Sequence, residues 1–351
     1  MSNELLTRAE CDAMRGIAII GIFLHNYCHW LPGIVRENEY QFFQSNVDGL
    51  QGVLANPDIL LPVHLLSFFG HYGVPVFLFL SAYGLVQKYE HPKAPRLDPS
   101  IGSFTRYHFL KLFKMMIVGF AAFLLVDRMT SGAHHYRLLD VVTQLLLVNN
   151  VMPDPDNIIW PGPYWFFGLM LQLYVVYRLL LFRRHWGWAV ALMVVCTAVQ
   201  IICSPESEEL NRLRYNCVGG MLPFCCGLIF ARHGKDPQTK LWYWGTLLVA
   251  ASLVFSESLS YYSWYVVPPL VCMVCYGLVK VLPDVMLRPL IWMGGISAAL
   301  FVCHPITRKI IIPISRHGDT YTGILIYIIT SIALAWLFKE IINRLPNPKK
   351  A

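Results

Sequence analysis

Apolar runs recur along this chain from Met14 to Ile342, separated by short charged pieces. Each is long enough to cross a hydrocarbon core, which takes about 20 residues as a helix. The chain is 56% hydrophobic and 14% charged, against roughly 25% charged in a soluble domain. A water-soluble fold has no place for that much apolar surface. The longest polar interruption is about thirty residues, so no soluble domain is left over. Residues 1–351 read as one all-α, polytopic membrane domain.

About ten transmembrane helices are expected: Met14–Leu31, His64–Val86, Phe109–Val126, Tyr164–Phe182, Trp186–Cys203, Tyr215–Ala231, Leu241–Phe255, Tyr262–Val281, Leu290–Ile311 and Tyr321–Ile342. Leu138–Val148 is about eleven residues long and ends in Asn149-Asn150, too short to span and suited to a re-entrant or interfacial helix near 138–150. Charge supports this count. With that stretch not crossing and both termini cytoplasmic, 17 basic residues fall inside and 8 outside, as the positive-inside rule requires. Lys88, Lys93, Arg96, Arg106, Lys111 and Lys114 form the richest inside cluster; Lys349 and Lys350 end the chain inside, while Arg36, Arg308, Lys309 and Arg316 belong to outside connections. If 138–148 crossed, every later loop would change sides and the bias would largely vanish. The expected location is the cytoplasmic, inner membrane.

The net charge of +7 does not point to nucleic acid, because the basic residues alternate with apolar runs and form no basic-aromatic module. Headgroups of membrane lipids are the ordinary partners. Most of the ten cysteines lie inside apolar runs, where they act as small apolar residues; Cys272-x-x-Cys275 has no soluble redox fold around it. No cleavable signal peptide is expected, since the first run lacks a small-residue cleavage site. No internal repeat is detectable. The outside connections Pro32–Pro62 and Asp127–Pro163 carry Pro and aromatics and are expected to be ordered lids.

Ionisable groups in a membrane helix cost about 2.5–3.5 kcal/mol each on insertion scales and suggest function. The first helix is densest, with Asp12, Arg15, His25, Asn26 and His29. Asp12 and Arg15 are neighbours on one face, either an interfacial anchor or part of a site. His25 lies ten residues further on, about 15 Å along the helix, where no headgroup solvates it. It is either a hydrogen-bonding strut or a general base, since an imidazole titrates near pH 6.5. His29 is closer to the outer surface. The second helix brings His64 and His71, and His71 is expected to reach the cavity of His25. Two histidines without a nearby carboxylate or thiolate set are weak grounds for a metal, and none is expected.

Arg106, His108, Lys111 and Lys114 recur at near-helical spacing. They either set topology or grip phosphates, with Arg183 and Arg184 contributing from the next inside loop. Trp165 and Tyr174 fit an aromatic belt; Gln172 is an amide in an apolar run; Ser297 and His304 share the ninth helix, with His304 toward the outer half.

The pattern resembles the membrane acyltransferase-3 family, the O-acyltransferases of cell-surface glycans. Asp12-Ala-Met-Arg15 followed by His25 is similar to its arginine–histidine first helix, and Gly73-Val-Pro-Val-Phe-Leu-Phe-Leu-Ser81-Ala-Tyr-Gly to its second-helix block. Phe104–Lys114, Trp165-Phe-Phe with Tyr174, and Gly294 with Ser297 and His304 resemble three later blocks. Nine residues separate Arg15 from His25, where the family usually has ten, which sets Asn26 over Arg15.

The resemblance implies transfer of an acyl group, acetyl above all, from acyl-CoA to a hydroxyl of a cell-envelope saccharide or glycolipid. It implies His25, Arg15, Asp12 and His71 as catalytic, and Arg106, Lys111, Lys114, Arg183 and Arg184 as donor-binding. The acceptor residues would be Asn26, His29, Trp165, Gln172, Tyr174 and His304. The main alternative is a transporter or flippase of lipid-linked sugar whose histidines relay protons, although the inverted repeats common in transporters are not apparent. A non-catalytic scaffold of a glycan-assembly complex is a third reading.

Overall fold

A computed structural model describes residues 5–90, 98–237 and 239–349; Lys93, Arg96 and Lys350 of the basic tally lie outside the described residues. Each of the ten apolar stretches is helical, and no strand occurs among the described residues. In chain order the helices are α1 (Arg8–Cys28), α2 (Gln44–Ala55), α3 (Leu61–Tyr89), α4 (Ile101–Met129), α5 (Leu138–Leu145), α6 (Gly162–Leu181) and α7 (Trp186–Ile202). There follow α8 (Glu208–Tyr215), α9 (Cys217–His233), α10 (Lys240–Glu257), α11 (Val267–Val281), α12 (Asp284–Arg316) and α13 (Thr320–Arg344).

Five of these, α3, α4, α6, α12 and α13, are long and apolar enough to cross a bilayer, and α8 with α9, bent by 45°, makes a sixth if the pair is one span. The chain is an integral membrane protein. α7 and α11 have 17 and 15 residues. Helix α5 has only eight, about 12 Å of rise, and leaves Leu138, Leu139 and Val142 exposed. The predicted helix Tyr262–Val281 divides into a single turn, Tyr261–Trp264, and α11, which starts at the Pro268-Pro269 pair. The ninth predicted helix, Leu290–Ile311, is longer than expected: α12 starts at Asp284 and ends at Arg316, runs through Pro289, Pro305 and Pro313, and carries Arg308 and Lys309, which the charge tally counts with an outside connection. Prolines of this kind are tolerated where neighbouring helices re-satisfy the freed carbonyls.

Helix α1 starts at a capping box. Thr7 Oγ1 accepts from the Glu10 N–H at 3.2 Å and Glu10 Oε2 accepts from the Thr7 N–H at 2.7 Å. From there α1 runs between α3 and α12 in backbone contact with both. A Cβ at Gly294 would run into the Asp12 carbonyl, and one at Gly16 into that of Leu290; Gly21, Gly70 and Gly73 make the same close approach between α1 and α3. Small residues give membrane helices this route to tight packing, because lipid supplies no hydrophobic force between them. Far from α1's capped end, Lys309 of α12 pairs with the fully buried Asp127, which also accepts from the His134 N–H at 2.9 Å and the Tyr136 hydroxyl at 3.1 Å. At the capped end Arg232 grips Glu90 through two nitrogens at 2.8 Å, and Tyr177 donates to the same carboxylate at 2.7 Å.

The long connection after α1 is ordered, as the sequence suggested, and it is pinned to α3. Val35 donates its N–H to His64 Nδ1 at 3.1 Å, and its carbonyl accepts from the Ser67 hydroxyl. Asn46 of α2 donates to the Glu37 carbonyl at 2.8 Å. These bonds fix the backbone on both sides of Glu37.

Candidate active site

Two cavities lie end to end inside the bundle. One, of about 370 Å³, is lined by Arg15, Ser81, Lys111, Tyr174 and Ser297 with apolar side chains of α4 and α6. The other, of about 280 Å³, is lined by His25, Asn26, His29, Glu37, His71, Trp165 and Arg308, among others. The first lies toward the capped end of α1 and is here the Arg15 chamber; the second is the His25 chamber.

His25 is 2% exposed. Its Nδ1 lies 2.7 Å from the Ser67 carbonyl oxygen, which only accepts, so Nδ1 carries the proton and Nε2 the lone pair. Nε2 faces Glu37 Oε1 at 3.7 Å. His29 Nδ1 donates to the same oxygen at 2.9 Å. The His25 ring is 4.6 Å from that of His29 and 5.5 Å from that of His71, centre to centre. His71 is buried beside them. Burial would raise the Glu37 carboxyl, but the imidazoles of His29 and His25 overrule it and hold Glu37 below the ordinary carboxylate range. An imidazole that takes a proton on Nε2 therefore gains an ionised partner at once.

Arg308, on α12, is 7% exposed and donates to the Asn26 carbonyl at 3.0 Å, with its guanidinium 5.2 Å from the Trp30 ring centre. On the outer wall Tyr40 stacks on Tyr215 at 3.9 Å and meets Trp165 edge-on at 5.4 Å, and Tyr215 donates to Asp156 at 2.6 Å. Glu39, beside Tyr40, is pushed up to about 8 by burial and then by the charge of Glu37.

That shift has a sign. An unfolded glutamate loses its proton near 4.5, whereas folded Glu39 keeps it to about 8. Stability from this carboxyl is complete below the lower value and is lost as pH rises to the upper one. Glu39→Gln should melt above the parent by a few degrees, a margin that opens between about pH 5 and pH 8 and is flat beyond. Melting temperatures of the solubilised protein across that range test it, and a pH-independent margin would assign the shift to another group.

The fold gathers His25, Asn26, His29, His71 and Trp165 in one chamber and Arg15, Lys111 and Tyr174 in the other. Arg15 and His25 thus face different cavities, so the nine-residue spacing calls for no distortion of α1. Asp12 pairs with Arg15 at 2.6 Å. The remaining sequence-selected residues line neither chamber. Arg106 is exposed on α4; Lys114 donates to the Leu345 carbonyl at 2.8 Å and to Asn347 at 2.9 Å. Arg183 and Arg184 are exposed just past α6, with Arg183 donating to the Tyr89 carbonyl at 3.4 Å. Gln172 bridges Asn216 and the Cys217 N–H, both at 2.7 Å. His304 is buried, Nδ1 donating to the Leu300 carbonyl at 3.1 Å.

Sequence reasoning missed Glu37, Tyr40, Asp156, Tyr215 and Arg308. Glu37 also changes the metal question. The donor atoms of His25, His29 and Glu37 lie within 4.8 Å of one another, so the carboxylate whose lack argued against a metal is supplied by the loop.

A buried imidazole with a fixed tautomer lines one of two adjoining chambers of a helical membrane bundle, an arrangement that suits moving a proton. The acyltransferase-3 family model, described as an acyltransferase domain, matches residues 8–340, essentially the whole chain. The chain belongs to that family and is a membrane acyltransferase, which does not favour the transporter reading. No curated protein and no solved structure gives a significant match.

Proposed function

We propose that the chain moves a short acyl group, acetyl above all, from acyl-CoA to a hydroxyl of a cell-envelope saccharide or glycolipid. On this reading it crosses the inner membrane about ten times with both termini cytoplasmic, and α5 lies at the interface. The donor enters the Arg15 chamber from the cytoplasm, its phosphates meeting Lys111 at the cavity and Arg106, Arg183 and Arg184 at the surface. The acceptor enters the His25 chamber from the other side, between the aromatic faces of Tyr40, Trp165 and Tyr215, with Asn26 and His29 within reach.

His25 Nε2 takes the hydroxyl proton while the oxygen attacks the thioester carbonyl. Glu37 stabilises the imidazolium that forms, and Arg308 supplies positive charge for the oxyanion. Collapse of the tetrahedral species breaks the C–S bond, and His25 returns its proton to the departing sulfur. The ester C–O bond replaces the thioester, and no net proton is lost. The observation that carries this reading is the His25 ring itself, Nδ1 on the Ser67 carbonyl and Nε2 facing Glu37 in a cavity.

The test is thiol release from acetyl-CoA by detergent-solubilised protein supplied with candidate acceptors, set beside proton-coupled uptake in vesicles; uptake without turnover would overturn the proposal. Lys111→Ala should raise the donor KM about tenfold with kcat little changed, as loss of one charge-assisted contact in binding does. An unchanged KM would place the phosphates elsewhere.

A further inference from the structure

Four side chains line both chambers: Ile22 of α1, Val74 of α3, Phe166 of α6 and Phe301 of α12. All are apolar, each comes from a different helix, and the two phenyl rings meet at 5.2 Å between centres. They form a collar between the Arg15 side and the His25 side. The collar is stiff, because the helices that carry three of its members are in backbone contact at Gly16, Gly21, Gly70, Gly73 and Gly294.

We propose that this collar sets the length of the acyl group the protein transfers. The inference rests on the donor and acceptor sides assigned above. His25 lies three residues beyond Ile22, about 4.5 Å along the helix. A hydroxyl close enough to give His25 its proton reaches a carbonyl carbon only if that carbon is about 3–3.5 Å away, which puts the thioester at the collar. Carbons beyond the carbonyl then lie within the ring or in the 280 Å³ chamber that the acceptor must share. Every added methylene meets Phe166 and Phe301 or displaces the acceptor.

The experiment uses membrane vesicles from cells expressing the full chain, which retain native acceptor, with acetyl-, butyryl-, hexanoyl- and octanoyl-CoA as donors and His25→Ala vesicles as the blank. Wild type should prefer acetyl over hexanoyl at least tenfold in kcat/KM. Phe166→Ala should raise the hexanoyl-to-acetyl ratio about tenfold or more. Val74→Ala, a smaller change that spares the aromatic packing, should raise it less but measurably, and stands in if Phe166→Ala does not fold. A length profile unchanged in the folded variants, or flat in wild type, overturns the collar while leaving the acyl-transfer reading intact. Absence of His25-dependent thiol release with every donor overturns that reading and the collar with it.

Discussion

His25→Ala is expected to lower acyl transfer by about 10²–10⁴-fold, the usual contribution of a general base, while the protein stays folded. Truncation empties a place on the wall of a cavity, and the Ser67 carbonyl that loses its side-chain donor belongs to the backbone of α3. The loss should fall on kcat, since no binding contact to the donor is removed from the Arg15 chamber. Initial rates of thiol release and a monodisperse elution profile check the two halves. Full activity in a folded variant would remove His25 from the chemistry.

Glu37→Gln is expected to cost about 10²-fold in kcat, because a neutral amide replaces the charge that stabilises the imidazolium. The tautomer is not at stake, being set from the other side of the ring by Ser67. His29 and His25 hold the Glu37 carboxyl below the ordinary carboxylate range despite burial. The defect should therefore be flat from about pH 5.5 to 8.5, and a loss that fades on the acid side would contradict the assignment. A divalent ion held by His25, His29 and Glu37 would give the same variant phenotype. Exhaustive chelation separates the two: wild-type rates should survive it, and a loss restored by one metal would recast the three residues as ligands.

How much of this is visible in the sequence depends on what each residue competes with. The helices are legible because a bilayer leaves long apolar runs few alternatives, and His25 stands out because a titratable ring in lipid is costly. Glu37 is hidden in a connection rich in ordinary polar residues. The clips of His64 and Ser67 onto Val35, and of Asn46 onto the Glu37 carbonyl, bring its carboxylate to the ring. Arg308 counts with an outside connection in the charge tally because a cation near a helix end is ordinarily a topology signal, whereas on α12 it is buried against α1. Lys114, Gln172 and His304 show the opposite case. Their chemistry suits a site, but their partners are a chain end, a helix junction and a carbonyl one turn back. Residue type is readable; direction is not.

Gly16 and Gly294 on one side, and Gly21, Gly70 and Gly73 on the other, deny α1 the slack to rock against its neighbours. A carrier that swings its cargo from one aqueous face to the opposite one needs such slack. On the proposed reading, a central helix packed this closely would leave only the few atoms of the acyl group to be handed across a fixed partition, with the bulky halves of both reactants kept in the compartments they came from.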